Sequence, residues 1–324
     1  MKTDEYQPHL HYFAVATTCV ALLPIVVGAL VTTMNWGMAF LDWPTSEGYN
    51  MFLYPWLDAA VDKFAEHGHR LAGIVIGLFS IVLTAFMLWK EPRRWVVVTA
   101  ILVMIAVALQ GLLGGLRVLF DEHFFGMVHG SFAALVFALM ASLALVTGRS
   151  WMMPTARVRD AGIRRLKPLA VATSVVIFAQ YLLGGLLRHL GTALYEHLAM
   201  AVLVLLFVAM TVVFTYHSQV PWLRRPAYAL LAIVLLQLSL GAGAWVTKFG
   251  FASAGYVAVQ HSVPQIVLRT AHTVVGMLLF STSIVYTLRV FRLDSLQRNA
   301  FLLSKRIARE GRLSNTFSVS GGVG

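Results

Sequence analysis

Eight long apolar stretches, separated by short polar ones, set the pattern of this chain. They fall at about residues 11–34, 68–89, 95–116, 124–146, 168–187, 195–216, 226–246 and 268–290. Each approaches the roughly 20 apolar residues that an α-helix needs to cross a bilayer. The runs are continuous rather than alternating, which excludes membrane strands. The expectation is an all-α integral membrane protein with eight transmembrane helices. The first run is too long for a signal-peptide core and lacks a basic leader and a small-residue cleavage site, so it is read as a retained helix.

Composition agrees. Of 324 residues, 59% are hydrophobic and only 12% charged, against about 25% charged in a soluble domain. That excludes a soluble enzyme, and the 12% aromatic content with such long apolar runs excludes disorder. The single cysteine, Cys19, excludes an intramolecular disulfide, a zinc ribbon and a cysteine-ligated iron–sulfur cluster.

The net charge of +11 is mostly a topology signal. The loops after the second, fourth and sixth runs, the tail and Lys2 hold 19 of the 25 Lys and Arg residues. Lys and Arg mark the inner side of a membrane, so both termini are expected to be cytoplasmic, and nucleic acid is not expected as a partner. Residues 293–312 read as a basic amphipathic helix on the inner surface or as a solvated tail.

An internal repeat organises the helices. The third run carries Gln110-Gly-Leu-Leu-Gly114-Gly115, the fifth Gln180-Tyr-Leu-Leu-Gly184-Gly185, and the seventh Gln237-Leu-Ser-Leu-Gly241-Ala-Gly243. The first has Gly28 in a similar place without the Gln. Small residues let membrane helices approach closely and leave room for a flat ligand. The even runs each carry one histidine near the outer end: His69, His129, His197 and His272. The chain therefore reads as two tandem pseudo-symmetric four-helix bundles, residues 1–160 and 161–324, each offering two histidines at similar depth.

A lone histidine in a membrane helix is ordinarily a packing residue or part of a proton path. Four at equivalent positions of a repeat point instead to pairs of axial haem ligands on facing helices. No Cys-x-x-Cys-His is present, so the haem would be non-covalent, and a zinc site would want further ligands nearby. The other histidines, His189 among them, are expected in or near loops or at interfaces rather than as ligands, with His67, two residues from His69, the exception that could serve as one. Arg70, Arg117, Arg188, Lys248 and Arg269 are outer cations suited to haem propionates, Arg70 and Arg117 foremost.

The halves differ in one respect. The second run opens Glu66-His67-Gly68-His69-Arg70, which puts Glu66 within helical reach of His69 and Arg70. A carboxylate beside a haem ligand could take protons or offset positive charge; alternatively it is an Arg-paired acid at a helix start. The corresponding Tyr195-Glu196-His197-Leu198 lacks this cluster, so chemistry is expected in the first half and a resident cofactor in the second.

These residues resemble the haem A synthase family. Glu66-x-x-His69-Arg70 is similar to its Glu-x-x-His-Arg motif, and Asp42-Trp43-Pro44 to the Asp-Trp-Pro of its first outer loop. The layout and the four histidines agree, and the likeness runs from about residue 24 to 290. It implies oxidation of the C8 methyl of haem O to a formyl group, giving haem A for terminal oxidases. It also implies His69 and His129 about the substrate haem, His197 and His272 holding a haem b, and Glu66 as the essential acid beside the substrate. Implied partners are haem O supplied by haem O synthase, an unidentified electron-transfer partner, the lipid bilayer and, as an option, a second copy of the chain. The implied location is the cell membrane, with the haem sites toward the outer side.

The cysteine pair that many bacterial members carry about the Asp-Trp-Pro is replaced here by Phe40 and Ser46. No thiol-dependent step is therefore expected, Cys19 lying inside the first helix. A di-haem b-type cytochrome that only transfers electrons is the alternative, and a repeat-built transporter a third. Glu66 separates the synthase from the cytochrome.

Overall fold

A computed structural model describes residues 6–120, 123–152 and 163–319, with side chains described as far as residue 306 except that of residue 303. Ten α-helices follow in order: α1 (Pro8–Val20), α2 (Leu22–Thr33), α3 (Val61–Lys90), α4 (Arg94–Phe120), α5 (His123–Thr147), α6 (Arg149–Met152), α7 (Ile163–Leu190), α8 (Leu194–His217), α9 (Pro221–Phe249) and α10 (Val263–Val319). No strand occurs among the described residues. Eight helical segments are long and apolar enough to cross a membrane, α1 and α2 together forming the first. The protein is a multi-pass membrane protein.

The first span is broken rather than continuous. Pro24 has no N–H to donate to the Val20 carbonyl, one turn earlier, and its ring crowds that turn; the helix is interrupted at Ala21, a single residue of helical φ and ψ between α1 and α2. Residues 293–312 are not a separate surface helix: α10 runs unbroken through them to Val319, no proline or glycine intervening between 293 and 310.

The neighbours in the first four spans close a ring: α2 on α3, α3 on α4, α4 on α5, and α5 back on α1. The last four do the same, α7 on α8, α8 on α9, α9 on α10, and α10 on α7. The seam between the rings is made by α5 against α7 and by α10 against α5 and α2. The core of the bundle is apolar and tight, with Val103, Ala134, Leu143, Val208 and Val290 all fully buried. Residues such as Leu78, Leu206 and Leu236 face outward, where lipid rather than water is the natural neighbour.

Candidate functional site

The four histidines of the repeat lie toward the N-terminal ends of α3, α5, α8 and α10, and each ring rests on a glycine of the preceding helix. A Cβ on Gly28 would stand 2.6 Å from Cε1 of His69, on Gly114 3.1 Å from that of His129, on Gly184 3.1 Å from that of His197, and on Gly241 2.9 Å from that of His272. These glycines are required by close approach of the ring, not only by helix packing.

The rings meet in two pairs. The centroids of His69 and His129 are 6.2 Å apart with an interplanar angle of 81°; those of His197 and His272 are 6.3 Å apart at 80°. Three of the four are steadied by the repeat's glutamine. Nε2 of Gln110 donates to the His129 carbonyl at 3.0 Å, Gln180 to that of His197 at 3.0 Å, and Gln237 to that of His272 at 2.9 Å. Each of these amides also leaves its Oε1 buried with no partner among the described residues. At the fourth position, four residues before Gly28, stands Pro24, whose carbonyl lies 3.0 Å from Nδ1 of His69. The first span thus keeps the backbone half of the arrangement and lacks the side-chain half.

The first pair is covered by the loop between α2 and α3. Oε1 of Glu66 accepts from Arg70 at 2.9 Å, and Oε2 accepts from the N–H of Ala39 at 2.7 Å and of Phe40 at 3.4 Å. Arg70 in turn donates to the carbonyls of Asp42 and Thr45 at 3.0 and 2.8 Å. Glu66 and Arg70 therefore clasp the Asp-Trp-Pro loop to α3, and among the described residues no hydrogen bond joins Glu66 to His69. The Asp42 carboxylate accepts from the N–H of Glu47 and Gly48, both at 2.9 Å. Burial alone would raise its pKa, but these hydrogen bonds outweigh it and hold the group below the ordinary range.

His67 is buried beneath this loop. Its Nδ1 lies 3.1 Å from Oγ of Ser46, and its ring sits among Phe40, Tyr54 and Trp56. Phe40 and Ser46 both touch it, so the loop closes on one histidine. Cys19 lies on an exposed face of α1.

His189 is also not in a loop. It ends α7 and reaches across the seam, its Nδ1 3.1 Å from where a Cβ on Gly126 of α5 would be. Beside it, Arg188 donates to the Ala29 carbonyl at 2.6 Å and Oγ1 of Thr33 at 3.0 Å on α2, and to Oγ1 of Thr273 on α10 at 2.6 Å. The end of α7 binds the two rings together near both histidine pairs.

All four histidines open onto one cavity of about 1520 Å³. A single small-molecule site takes roughly 300–1,000 Å³, so the space suits more than one ligand. Gly73, Gly77 and Gly111 line it with no atom within 4 Å of a would-be Cβ, which leaves flat open walls. Among its described lining, Glu66 is the sole carboxylate, against Arg70, Arg117, Arg188, Lys248 and Arg269. That balance fits a ligand carrying carboxylates. The ring spacing fits an iron: with metal–imidazole bonds of about 2 Å and ring radii of roughly 1 Å, a metal between two imidazoles separates their centroids by about 6 Å. Among the described residues no three His, Cys, Asp or Glu side chains gather as a metal cluster, so the donors stand as pairs.

Residues 56–199 match the model of a family described as cytochrome oxidase assembly protein, COX15-CtaA. A protein of Lysinibacillus sphaericus (strain C3-41) named heme A synthase is 26% identical over 198 residues, 59% of this chain and 61% of that protein. The chain thus matches about three fifths of the length of this curated relative. The family match takes in Glu66, His69, Arg70, His129 and His197 and stops before His272.

Proposed function

We propose, from the match of residues 56–199 to the model of the cytochrome oxidase assembly protein family, that the chain is a haem A synthase, oxidising the C8 methyl of haem O to a formyl group. His69 and His129 bind the substrate haem O in the first four spans; His197 and His272 hold a haem b in the last four. The resident haem supplies one-electron transfer. Glu66 is the acidic group at the edge of the substrate site, and Arg70 fixes the loop over it. Arg117, Arg188, Lys248 and Arg269 are the cations available to propionates. The two rings of helices are tandem related units in the inner cell membrane, with both termini cytoplasmic and the histidines toward the outer face. Haem O comes from haem O synthase, and electrons pass to a separate redox partner.

The observation that carries this reading is the matched geometry of the two histidine pairs, only one of which lies under a carboxylate-anchored loop. An electron-transfer cytochrome would have no use for that difference. The test is extraction and mass analysis of the haems from cells making haem O with and without this chain. Haem A, with haem B retained on the purified protein, is the expected result. Haem B alone, with no haem A formed, returns the chain to the di-haem cytochrome.

A further inference from the structure

At the end of the bundle opposite the histidines lies a second, smaller cavity of about 480 Å³. It opens where α1, α5, α6 and α10 meet, so it belongs to the seam between the rings and not to the haem cavity. Its lining is divided. Tyr6, His11, Arg149, Ser150 and Arg289 make one part polar, and Val15, Ala141, Leu145 and Val285 make the other apolar.

The cations here are not neutralised from within the described residues. Arg289 stacks over Trp222 at 5.0 Å and donates through one terminal nitrogen to the Trp222 carbonyl at 2.9 Å, but its Nε is buried with no partner among the described residues. The nearby acids are engaged elsewhere: Glu91 with Arg93, Asp294 with Lys167 and Arg298. His11 is held by Ala144 and Thr147. A buried guanidinium nitrogen without an acceptor costs free energy. Arg149 and Arg289 make one part of the cavity cationic, and a cavity that is cationic in one part and apolar in another suits an anion that carries chains.

We propose that this cavity binds an anionic phospholipid, its phosphate between Arg149 and Arg289 and an acyl chain along Val15, Ala141 and Val285. Basic pockets between membrane helices on the inner side take lipid headgroups in this way. The site ties α1 of one ring to α10 of the other through the lipid. It stands independently of what the histidines bind.

The test is native mass spectrometry of the purified full chain, with its haem, after exchange into nanodiscs of phosphatidylglycerol or of phosphatidylcholine. Retained phosphatidylglycerol and no retained phosphatidylcholine is expected. Arg149→Gln, at an exposed position that leaves the packing intact, should weaken retention about fivefold, and adding Arg289→Gln by about as much again. Haem absorption checks that each variant is folded. Equal retention of both lipids, or no change in Arg149→Gln, overturns the proposal. Displacement of the lipid by millimolar inorganic phosphate identifies a free-anion site and overturns the lipid assignment.

Discussion

Between His69 and His129 the rings stand 6.2 Å apart at 81°; between His197 and His272 they stand 6.3 Å apart at 80°. The cradle glycines match as well. What differs is the cover. Above the first pair, Glu66 and Arg70 hold a loop of some two dozen residues through four backbone groups. Above the second, Glu196 is exposed, and Lys248 and Arg269 line the cavity without a described carboxylate partner. The glutamine that steadies three of the rings is a proline beside His69. One framework thus occurs in two settings: the geometry of the histidine pair is the same, and what covers it differs.

The sharpest way to break the comparison is to remove ligands. His197→Ala or His272→Ala should abolish the b-type absorption of the purified protein, and His69→Ala should leave it in place. If both C-terminal variants keep full low-spin haem, the pairs do not divide as proposed.

Next in size is Glu66→Gln. The amide can still accept from Arg70, but its NH2 would then face the N–H groups of Ala39 and Phe40, donor against donor. A loss of about 1–3 kcal/mol in loop anchoring is expected from the unmet hydrogen bonds. Conversion of haem O should fall at least tenfold with the C-terminal haem intact. Two readouts separate chemistry from clasping: haem O, alcohol and haem A fractions report the reaction, and protease cutting between residues 40 and 60 reports the loop. Lost conversion with an uncut loop assigns Glu66 to the reaction, and equal loss of both assigns it to the clasp.

Pro24→Gln gives the first span the residue that the other three repeats carry. Relief of an interior proline is worth up to about 3 kcal/mol, so the variant should melt higher. Conversion should nonetheless fall, with the C-terminal spectrum unchanged, because His69 gains a neighbour that the working site omits. Unaltered conversion would make the proline incidental.

A smaller effect is expected from Gln110→Ala and Gln180→Ala. Each removes one side-chain bond to a histidine carbonyl, about 1 kcal/mol, and the two losses in melting temperature should agree if the pairs are built alike. The smallest concerns Asp42. Its folded carboxylate sits below the ordinary range, so its contribution is complete above the unfolded value, about 3.9, and fades as pH falls through the lower folded one. Loop protection should be flat from pH 7 to about 5 and decline only in stronger acid, and Asp42→Asn should flatten that decline.

The eight spans were legible because lipid demands continuous apolar helices, and that demand is written locally. The four histidines were legible because the repeat places them. The break at Ala21 was also there to read, in Pro24 within the first run. The clasp was not: Glu66 to Ala39, Arg70 to Thr45 and His67 to Ser46 join positions 21 to 27 residues apart across a loop with no periodicity. A Glu and an Arg at helical spacing announced their own pairing and hid their larger task. His189 gave no signal at all, because a histidine at a helix end looks the same whether it faces water or another helix.

Arg188 carries a consequence for ancestry. In the first span, which the fifth repeats, the position four residues after the cradle glycine is Thr32; in the fifth it is Arg188, whose guanidinium reaches both α2 and α10. A free-standing pair of identical four-helix units would carry the threonine twice or the arginine twice, and in the second case would bury two cations where acceptors exist for one. The seam as it stands belongs to a single continuous chain. Exchange of the halves between distant relatives should produce chimaeras that fail at this junction unless Ala29, Thr33 and Thr273 travel with the arginine.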